Sequence, residues 1–403
     1  MKALLLSASA PDATTKAQTG TTNWILRLTQ VLHKKHEVTL ITTPPVNDPW
    51  FEKSGVKVIQ HNPAPIQNGV VRLIKSLLYG IYPSIWLLHC PETSKFLKDL
   101  PPGRFDVCWI LEDYGGIYLR DIPRHLPVAF HRSYVFSMQD TFWEKGASFI
   151  KRLQGWYRQS TAIAFDRWTT ARADMVSAGT PESCEFLKKN YRHKNVECIP
   201  VKPSQRPTPT TEGNLKEPLG PEKRMLAVYL ADMRFVRNAD GALWFLEKVL
   251  PLMSESLRKS YHFRFLGRKP DPLPKLNDLP SGSSVEFTGF VDNLTKSLHE
   301  AQVAFIPVFG GNGVRIKTLT LLGTGLPTVS TPDALEGLEV SNEREVLEAT
   351  RPEDFAKAFE MLLDANLRQQ LSRNSLQAME TFLGEEEDAE KAFAFSQHIA
   401  GRQ

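Results

Sequence analysis

At 403 residues the chain exceeds one ordinary core, and at about 100–200 residues per domain two domains are expected. Hydrophobic content of 41% and charged content of 23% exclude a disordered chain, and 4 cysteines without CxxC spacing or clustered histidines exclude a zinc or disulfide framework and fit a reducing compartment. The net charge of +4 is too modest for a nucleic-acid binder but is uneven: residues 1–200 hold 25 Lys and Arg against 17 Asp and Glu, the remainder 24 against 28.

The basic first half suits an anionic partner, a membrane surface or a phosphorylated acceptor; the plainer alternative is a solvated imbalance. The chain opens on a basic residue and a short apolar run, Lys2 to Leu6. That run is too short for a signal-peptide core and reads as a first strand. No run reaches the roughly 20 apolar residues that span a bilayer. Further strands are expected at Glu37–Thr42, Val56–Ile59, Asp106–Leu111, Val128–His131, Met175–Ser177 and Val196–Ile199. The segment Asn23–Leu32 reads as a helix with Ile25, Leu28, Thr29 and Leu32 on one face.

Between Pro200 and Lys223 the composition shifts to Pro200, Pro203, Pro207, Pro209, Pro218 and Pro221 with Ser, Thr and Gly between them, the signature of an extended linker. Beyond it, strands are expected at Met225–Leu230, His262–Leu266, Val285–Phe287, Val303–Ile306 and Thr328–Ser330. A helix is expected at Asp240–Leu250, with Leu243, Leu246, Glu247 and Leu250 on its face. The acidic run Glu385 to Asp388 reads as a solvated patch at a helix start.

Repeated β-α-β units imply parallel sheets covered by helices. The expected fold is therefore α/β, with two Rossmann-like domains facing each other and joined by the proline-rich linker. Residues 1–200 form the N-terminal domain, 201–223 the linker and 224–380 the C-terminal domain, with 381–403 a C-terminal helix crossing back. A ligand cleft is expected at the facing carboxyl ends of the strands.

Two loops carry candidate chemistry. Phe309-Gly310-Gly311-Asn312-Gly313-Val314-Arg315-Ile316-Lys317 follows one strand and opens a helical pattern running to Gly323. Its glycines allow close backbone approach, the helix start offers free N–H groups, and Arg315 and Lys317 add fixed positive charge, which suits a diphosphate. The bland alternative is a glycine-rich turn with surface basic residues. Asp232 to Asp240 holds Arg234 and Arg237 between a strand and a helix; Arg237 either reaches the same phosphates or lies in solvent while Asn238 or Asp240 caps the helix.

At these residues the sequence resembles glycosyltransferase family four, in the branch reading N-x-D-A-L-W-F and then V-L-P. The matching residues are Asn238-Ala239-Asp240-Gly241-Ala242-Leu243-Trp244-Phe245 and Val249-Leu250-Pro251. The resemblance continues in order through Phe265-Leu266-Gly267-Arg268, Val285 to Val291, Gly311 to Lys317, Gly325 to Thr331 and Glu336-Gly337-Leu338. In the first half it rests on Gly20-Thr21, His36 to Ile41, Phe130-His131 and Phe165 to Ser177.

That resemblance implies a GT-B fold and a retaining, metal-independent sugar transferase with no cofactor, whose co-substrate is a nucleoside-diphosphate-sugar. It implies that Arg237, Lys317 and Arg315 stabilise the diphosphate as charge builds on the leaving group. His131 would lie near the reacting sugar, or be a strand-end histidine bonded to backbone. Gly20 and Thr21 would close over the phosphates, and Phe290 and Val291 would line the base pocket. Arg234, Gly311, Asn312, Gly313, Val314 and Thr320 complete the implied donor set. The chain departs from the family where many members carry glutamates, at Asn312 and Thr320. It departs again at Ala231-Asp232, where Gly-Ser is usual.

The acceptor is expected to be a glycan, a lipid-linked sugar or a small molecule, in surface-glycan or exopolysaccharide synthesis. Val70 to Tyr82 and Phe142 to Arg158 mix apolar, aromatic and basic residues. Helices of that kind lie on anionic membranes or pack on a sheet. The expected location is cytoplasmic, with peripheral attachment to the inner membrane face as an option. Two rival readings stand: a sugar-nucleotide epimerase, for which Glu112 and Asp113 would be the acid and base, and a non-catalytic nucleotide-sugar-binding subunit, motivated by Thr320.

Overall fold

The computed structural model describes residues 1–11, 20–138, 149–210, 223–272, 274, 276–311, 313–384 and 387–401. The chain divides into two compact units. The first comprises Met1–Ser204, Gly311–Gly313 and Glu386–Gln403; the second comprises Gln205–Gly310 and Val314–Glu385.

The first unit is built on seven strands: β1 (Lys2–Leu6), β2 (Glu37–Thr42), β3 (Lys57–Gln60), β4 (Val107–Ile110), β5 (Val128–Arg132), β6 (Met175–Ala178) and β7 (Val196–Cys198). Every pairing is parallel and the order is β3-β2-β1-β4-β5-β6-β7. The helices between them are α1 (Gly20–His33), α2 (Pro49–Ser54), α3 (Gly69–Tyr79), α4 (Pro91–Lys98), α5 (Phe149–Arg172) and α6 (Pro181–Tyr191). The central strands are apolar on both faces, as a sheet covered on both sides requires: Leu4, Leu5 and Leu6 are fully buried, as are Trp109 and Ile110. On α1 the expected face of Ile25, Leu28, Thr29 and Leu32 is buried, and Trp24, Leu26 and Val31 widen it. Asn68 caps α3 by accepting from the amides of Val70 and Val71, and Gly80 ends it in the left-handed region, at φ 59°.

The second unit holds β8 (Met225–Leu230), β9 (Tyr261–Leu266), β10 (Val285–Gly289), β11 (Val303–Ile306), β12 (Thr328–Ser330) and β13 (Leu347–Glu348) in the order β10-β9-β8-β11-β12-β13, again all parallel. Its helices are α7 (Val236–Trp244), α8 (Glu255–Ser260), α9 (Leu294–His299), α10 (Ile316–Gly323), α11 (Pro352–Met361) and α12 (Ala365–Gly384). Rings fill the core: Phe245 lies 4.5 Å from Phe305 and 5.0 Å from Phe263 between centroids. Strand β13 has only two residues, too few to leave a periodic signal.

One sequence expectation fails within this core. Asp240–Leu250 is not a single α-helix: α7 gives way to a π-helical turn at Phe245–Val249, and Glu247 is exposed while Phe245, Leu246, Val249 and Leu250 are buried. The buried positions Ala242, Phe245, Leu246, Val249 and Leu250 keep the helical spacing, so the buried face lies one residue away from the expected one and Glu247 falls on the solvent side.

The proline-rich segment is described as far as Thr210. There its amide donates to the Thr324 carbonyl (2.8 Å) at the end of α10. Residues 211–222, within the expected linker, and Glu385 and Glu386 of the acidic run lie outside the described residues; Glu387 is the first residue of α13 (Glu387–Ala400). That last helix belongs to the first unit, where Trp109 Nε1 donates to Ser396 Oγ (2.8 Å) and the His36 ring meets Phe393 (5.2 Å).

Candidate functional site

In each sheet the strand order reverses beside the first strand, between β1 and β4 and between β8 and β11. Crossovers leave in opposite directions there, which opens a crevice at the carboxyl ends of the strands.

In the second unit that crevice lies between the loop after β8 and the loop after β11. Lys317, in the first turn of α10, donates to Asn238 Oδ1 (2.7 Å) and lies over the Tyr229 ring at 5.2 Å. Asn238 in turn donates to the Asp232 carbonyl (2.8 Å), and Tyr229 Oη donates to the Asn238 carbonyl (3.1 Å). The amide of Asn238 is thus fixed on both sides and holds the ammonium at the switch point. Burial, aided by the charge of Arg315, pushes the Lys317 pKa down to about 7. Arg315 donates to the carbonyls of Gly310 (2.7 Å) and Asp333, and Asp333 Oδ2 accepts from the Gly310 amide (2.8 Å), so the glycine loop is pinned at its base. Among the described residues no side chain caps the first turn of α10, and the Thr318 amide donates to the Arg315 carbonyl (2.9 Å).

Two glycines are required by this geometry. A Cβ on Gly241 would lie 2.0 Å from the Pro307 carbonyl oxygen, so only glycine lets α7 approach the exit of β11. One on Gly267, at φ 118°, would lie 2.0 Å from the Ala231 carbonyl oxygen.

The remaining donor candidates sit on the same sheet edge with different partners. Arg237 is the second residue of α7 and half-buried. Arg234 is exposed and clamped by Asp232, through Nε (3.1 Å) and Nη2 (2.9 Å). Asp232 also accepts from Arg268 (2.5 Å). Burial opposes ionisation of Asp232, but the bonds from Arg234 and Arg268 outweigh it and hold the carboxyl below its usual range. Phe290 and Val291 follow directly on β10. Thr320 donates its hydroxyl to the Ile316 carbonyl (2.8 Å), so only its lone pairs remain for a ligand. Gly311, Gly313 and Val314 lie in the loop between β11 and α10; Asn312 lies outside the described residues.

In the first unit, Gly20 opens α1, Thr21 follows in its first turn, and His131 is the penultimate residue of β5. His131 is fully buried, its Nδ1 3.0 Å from Ser177 Oγ and its ring 4.9 Å from Trp24. Nε2 has no hydrogen-bond partner among the described residues. Burial and the neighbouring Arg132 push its pKa down to about 3, so the imidazole is neutral at physiological pH and suited to hydrogen bonding rather than to proton transfer.

The switch point between β1 and β4 is occupied by Glu112, which accepts from Ser7 Oγ (3.1 Å) and Ser9 Oγ (3.2 Å). Burial pushes its pKa up to about 7 against those bonds. A carboxyl raised in the folded state stabilises the fold at low pH. That stability is full below about 4.5, where the unfolded chain also binds the proton, and is lost as pH rises through about 7. Glu112→Gln is therefore expected to leave the melting temperature unchanged at pH 4.5 and to raise it above wild type at pH 8. An equal shift at both values would refute the assignment.

Asp113 does not form an acid–base pair with Glu112. It accepts from Arg132 Nε (2.6 Å) and the Tyr134 amide (2.6 Å), while Arg132 also donates to Asp166 of α5. Asp166 accepts from the Ser137 amide (2.7 Å). All three side chains are buried, and the network anchors the chain that leaves β5 beside His131. Nothing in the sequence links these residues beyond the oddity of charge amid apolar strands. His61, Cys90 and Glu92 bring ligand atoms within 4.8 Å of one another, but His61 Nδ1 is bonded to Thr93 (3.0 Å) and the group lies away from both switch points.

Solved structures share this whole architecture. Sucrose-phosphate synthase from Thermosynechococcus elongatus superposes with a TM-score of 0.68 at 14% identity, covering 100% of both chains. WaaG, a glycosyltransferase involved in lipopolysaccharide biosynthesis, gives 0.66 at 16% identity over 99% of this chain and 100% of its own. The chain has the GT-B fold. A third GT-B structure, HepE of Anabaena with UDP and glucose bound, gives 0.59 at 11% identity over 100% and 99% of the two chains. Within the second GT-B unit, residues 225–365 match the family model of the group 1 glycosyl transferases, a span that includes Asn238, the glycine loop and Lys317. No curated protein matches the sequence.

Proposed function

We propose that the chain is a retaining glycosyltransferase that moves a sugar from a nucleoside-diphosphate-sugar to an acceptor. The observation that carries this reading is the Lys317–Asn238 bridge at the switch point of the second sheet, beside an uncapped helix start. Lys317, Arg315 and Arg237 are the cations for the diphosphate. As the glycosidic bond breaks, negative charge grows on the departing diphosphate, and cations already in place stabilise that state more than the ground state. They take the part that a divalent metal takes elsewhere. His131 is assigned a hydrogen bond from Nε2 to the donor sugar, Phe290 and Val291 the base, and Thr320 a neutral contact to the ribose. Support comes from the group 1 glycosyl transferase match and from the UDP-glucose held by HepE. The acceptor in this reading is a glycan, lipid-linked or small-molecule hydroxyl in surface-glycan or exopolysaccharide synthesis at the cytoplasmic face.

The test is a thermal-shift screen against uridine, guanosine and adenosine diphosphate sugars. One of them is expected to raise the melting temperature, because a ligand that binds only the folded state stabilises it by mass action. The diphosphate of a nucleotide sugar does not titrate near neutrality, so pH acts through the protein. With the free Lys317 pKa near 7, affinity is expected to fall as pH rises above that value, by up to about tenfold per pH unit. A pH-independent affinity would remove Lys317 from the phosphate site. A shift with binding but no transfer to any acceptor would favour the binding-subunit reading.

A further inference from the structure

The large exposed apolar side chains of the first unit concentrate on α3 and α5. On α3, Val70, Ile74, Leu77 and Leu78 share one arc, with Leu78 74% exposed. On α5, Phe149, Leu153 and Trp156 form a stripe, with Phe149 80% exposed. The two helices adjoin: Tyr157 Oη donates to the Leu73 carbonyl (3.3 Å), and a Cβ at Gly80 would touch Ala164 Cβ at 3.5 Å. Water-facing helices do not normally carry such stripes side by side.

The arc on α3 is bordered by Lys75 and Tyr79, and both line a cavity of about 480 Å³. Lys95, Lys98 and Arg120 also line it, with Trp86 as an aromatic wall. Lys75 lies over the Trp86 ring (5.5 Å), and the Arg120 guanidinium lies over Tyr79 (5.1 Å) and Trp168 (5.2 Å). Two acids share the cavity, Asp99 and Asp121, the latter paired with Lys98 at 3.3 Å. The surplus is cationic and stands at the edge of the apolar arc. Apolar side chains on one side, aromatic rings at the boundary and cations beyond them match the depth profile of an anionic bilayer surface.

We propose that α3 and α5 seat the first unit on an anionic phospholipid bilayer, with a lipid phosphate entering the basic cavity while the apolar arc lies among the acyl chains. This surface is separate from the donor crevice and does not depend on the sugar-transfer reading.

The experiment is vesicle flotation of the full chain with phosphatidylcholine alone and with phosphatidylcholine containing 30 mole percent, roughly, of phosphatidylglycerol, a content chosen to give a negative surface potential. Binding is expected only with the anionic lipid, weakening as salt rises. Lys75→Gln with Lys95→Gln is expected to lower it by roughly fivefold per cation. Leu78→Glu is expected to abolish it while the circular dichroism spectrum and melting temperature stay at wild type. Millimolar inorganic phosphate is expected not to displace the protein. The proposal is overturned by absent or charge-independent flotation, or by wild-type flotation of Leu78→Glu. Displacement by free phosphate would make the cavity a soluble-anion site. Dimeric wild type with monomeric Leu78→Glu would make the face a contact between copies.

Discussion

Lys317→Met is expected to lower turnover of the nucleotide-sugar donor by about 10²–10³-fold while the protein melts at or above the wild-type temperature. Methionine keeps the length and apolar stem of lysine but supplies no charge. Among the described residues the ammonium has one hydrogen-bond acceptor, Asn238 Oδ1, and burial beside Arg315 disfavours its charged form. Its removal therefore relieves an electrostatic cost in the fold. In the reaction the same position faces the diphosphate from binding through to the transition state, so the variant is expected to raise KM as well as to lower kcat. The measurement is steady-state turnover alongside a melting curve. A variant that loses stability and activity together would make Lys317 a structural residue; one with unchanged turnover would take it out of the reaction.

The second large effect concerns stability. Asp166→Ala is expected to destabilise the first unit by about 3–5 kcal/mol, because breaking a buried ion pair leaves the other charge and its donors uncompensated. Arg132 is fully buried and binds both Asp113 and Asp166, and the Ser137 amide would lose its acceptor in the same step. For a unit of about 200 residues this corresponds to a drop in melting temperature on the order of 10 °C. Replacing the whole network at once, with Arg132→Met, Asp113→Asn and Asp166→Asn, is expected to recover part of the loss, since no unpaired charge stays buried. Chemical denaturation of both variants checks the pair of outcomes. If the triple variant is the less stable, the network holds the chain leaving β5 by its specific bonds rather than by charge balance.

The alternation of apolar runs with helical stretches was enough to read the architecture. Lys2–Leu6, Met225–Leu230 and Val303–Ile306 are strands with the bounds their composition implies, and α1 buries the face its spacing marks. The glycine loop before Lys317 was likewise legible as a strand-to-helix turn, whereas the helix after Asp232 begins at Val236 with Phe235 at its cap, not at Asn238 or Asp240. Other features were not legible. The π turn at Phe245–Val249 leaves no mark in the spacing of apolar residues, and the buried face runs through Phe245 and Val249, against which Phe305 packs, with Glu247 outside it. That Asn238 holds Lys317 from 79 residues away, that Asp232 occupies Arg234, and that Asp113 serves Arg132 instead of pairing with Glu112 all depend on which loops the parallel sheets bring together. The same holds for proton affinity: nothing local marks Glu112 for a pKa near 7 or His131 for one near 3. Backbone sterics and hydrophobic period act within a turn or a strand, and the sequence by itself determined what they govern: the two sheets, their helices and the loops that carry candidate chemistry. Desolvation and Coulomb partners act across chain-distant segments, so only the tertiary structure decided which of those side chains are charged, which are clamped, and which face the crevice.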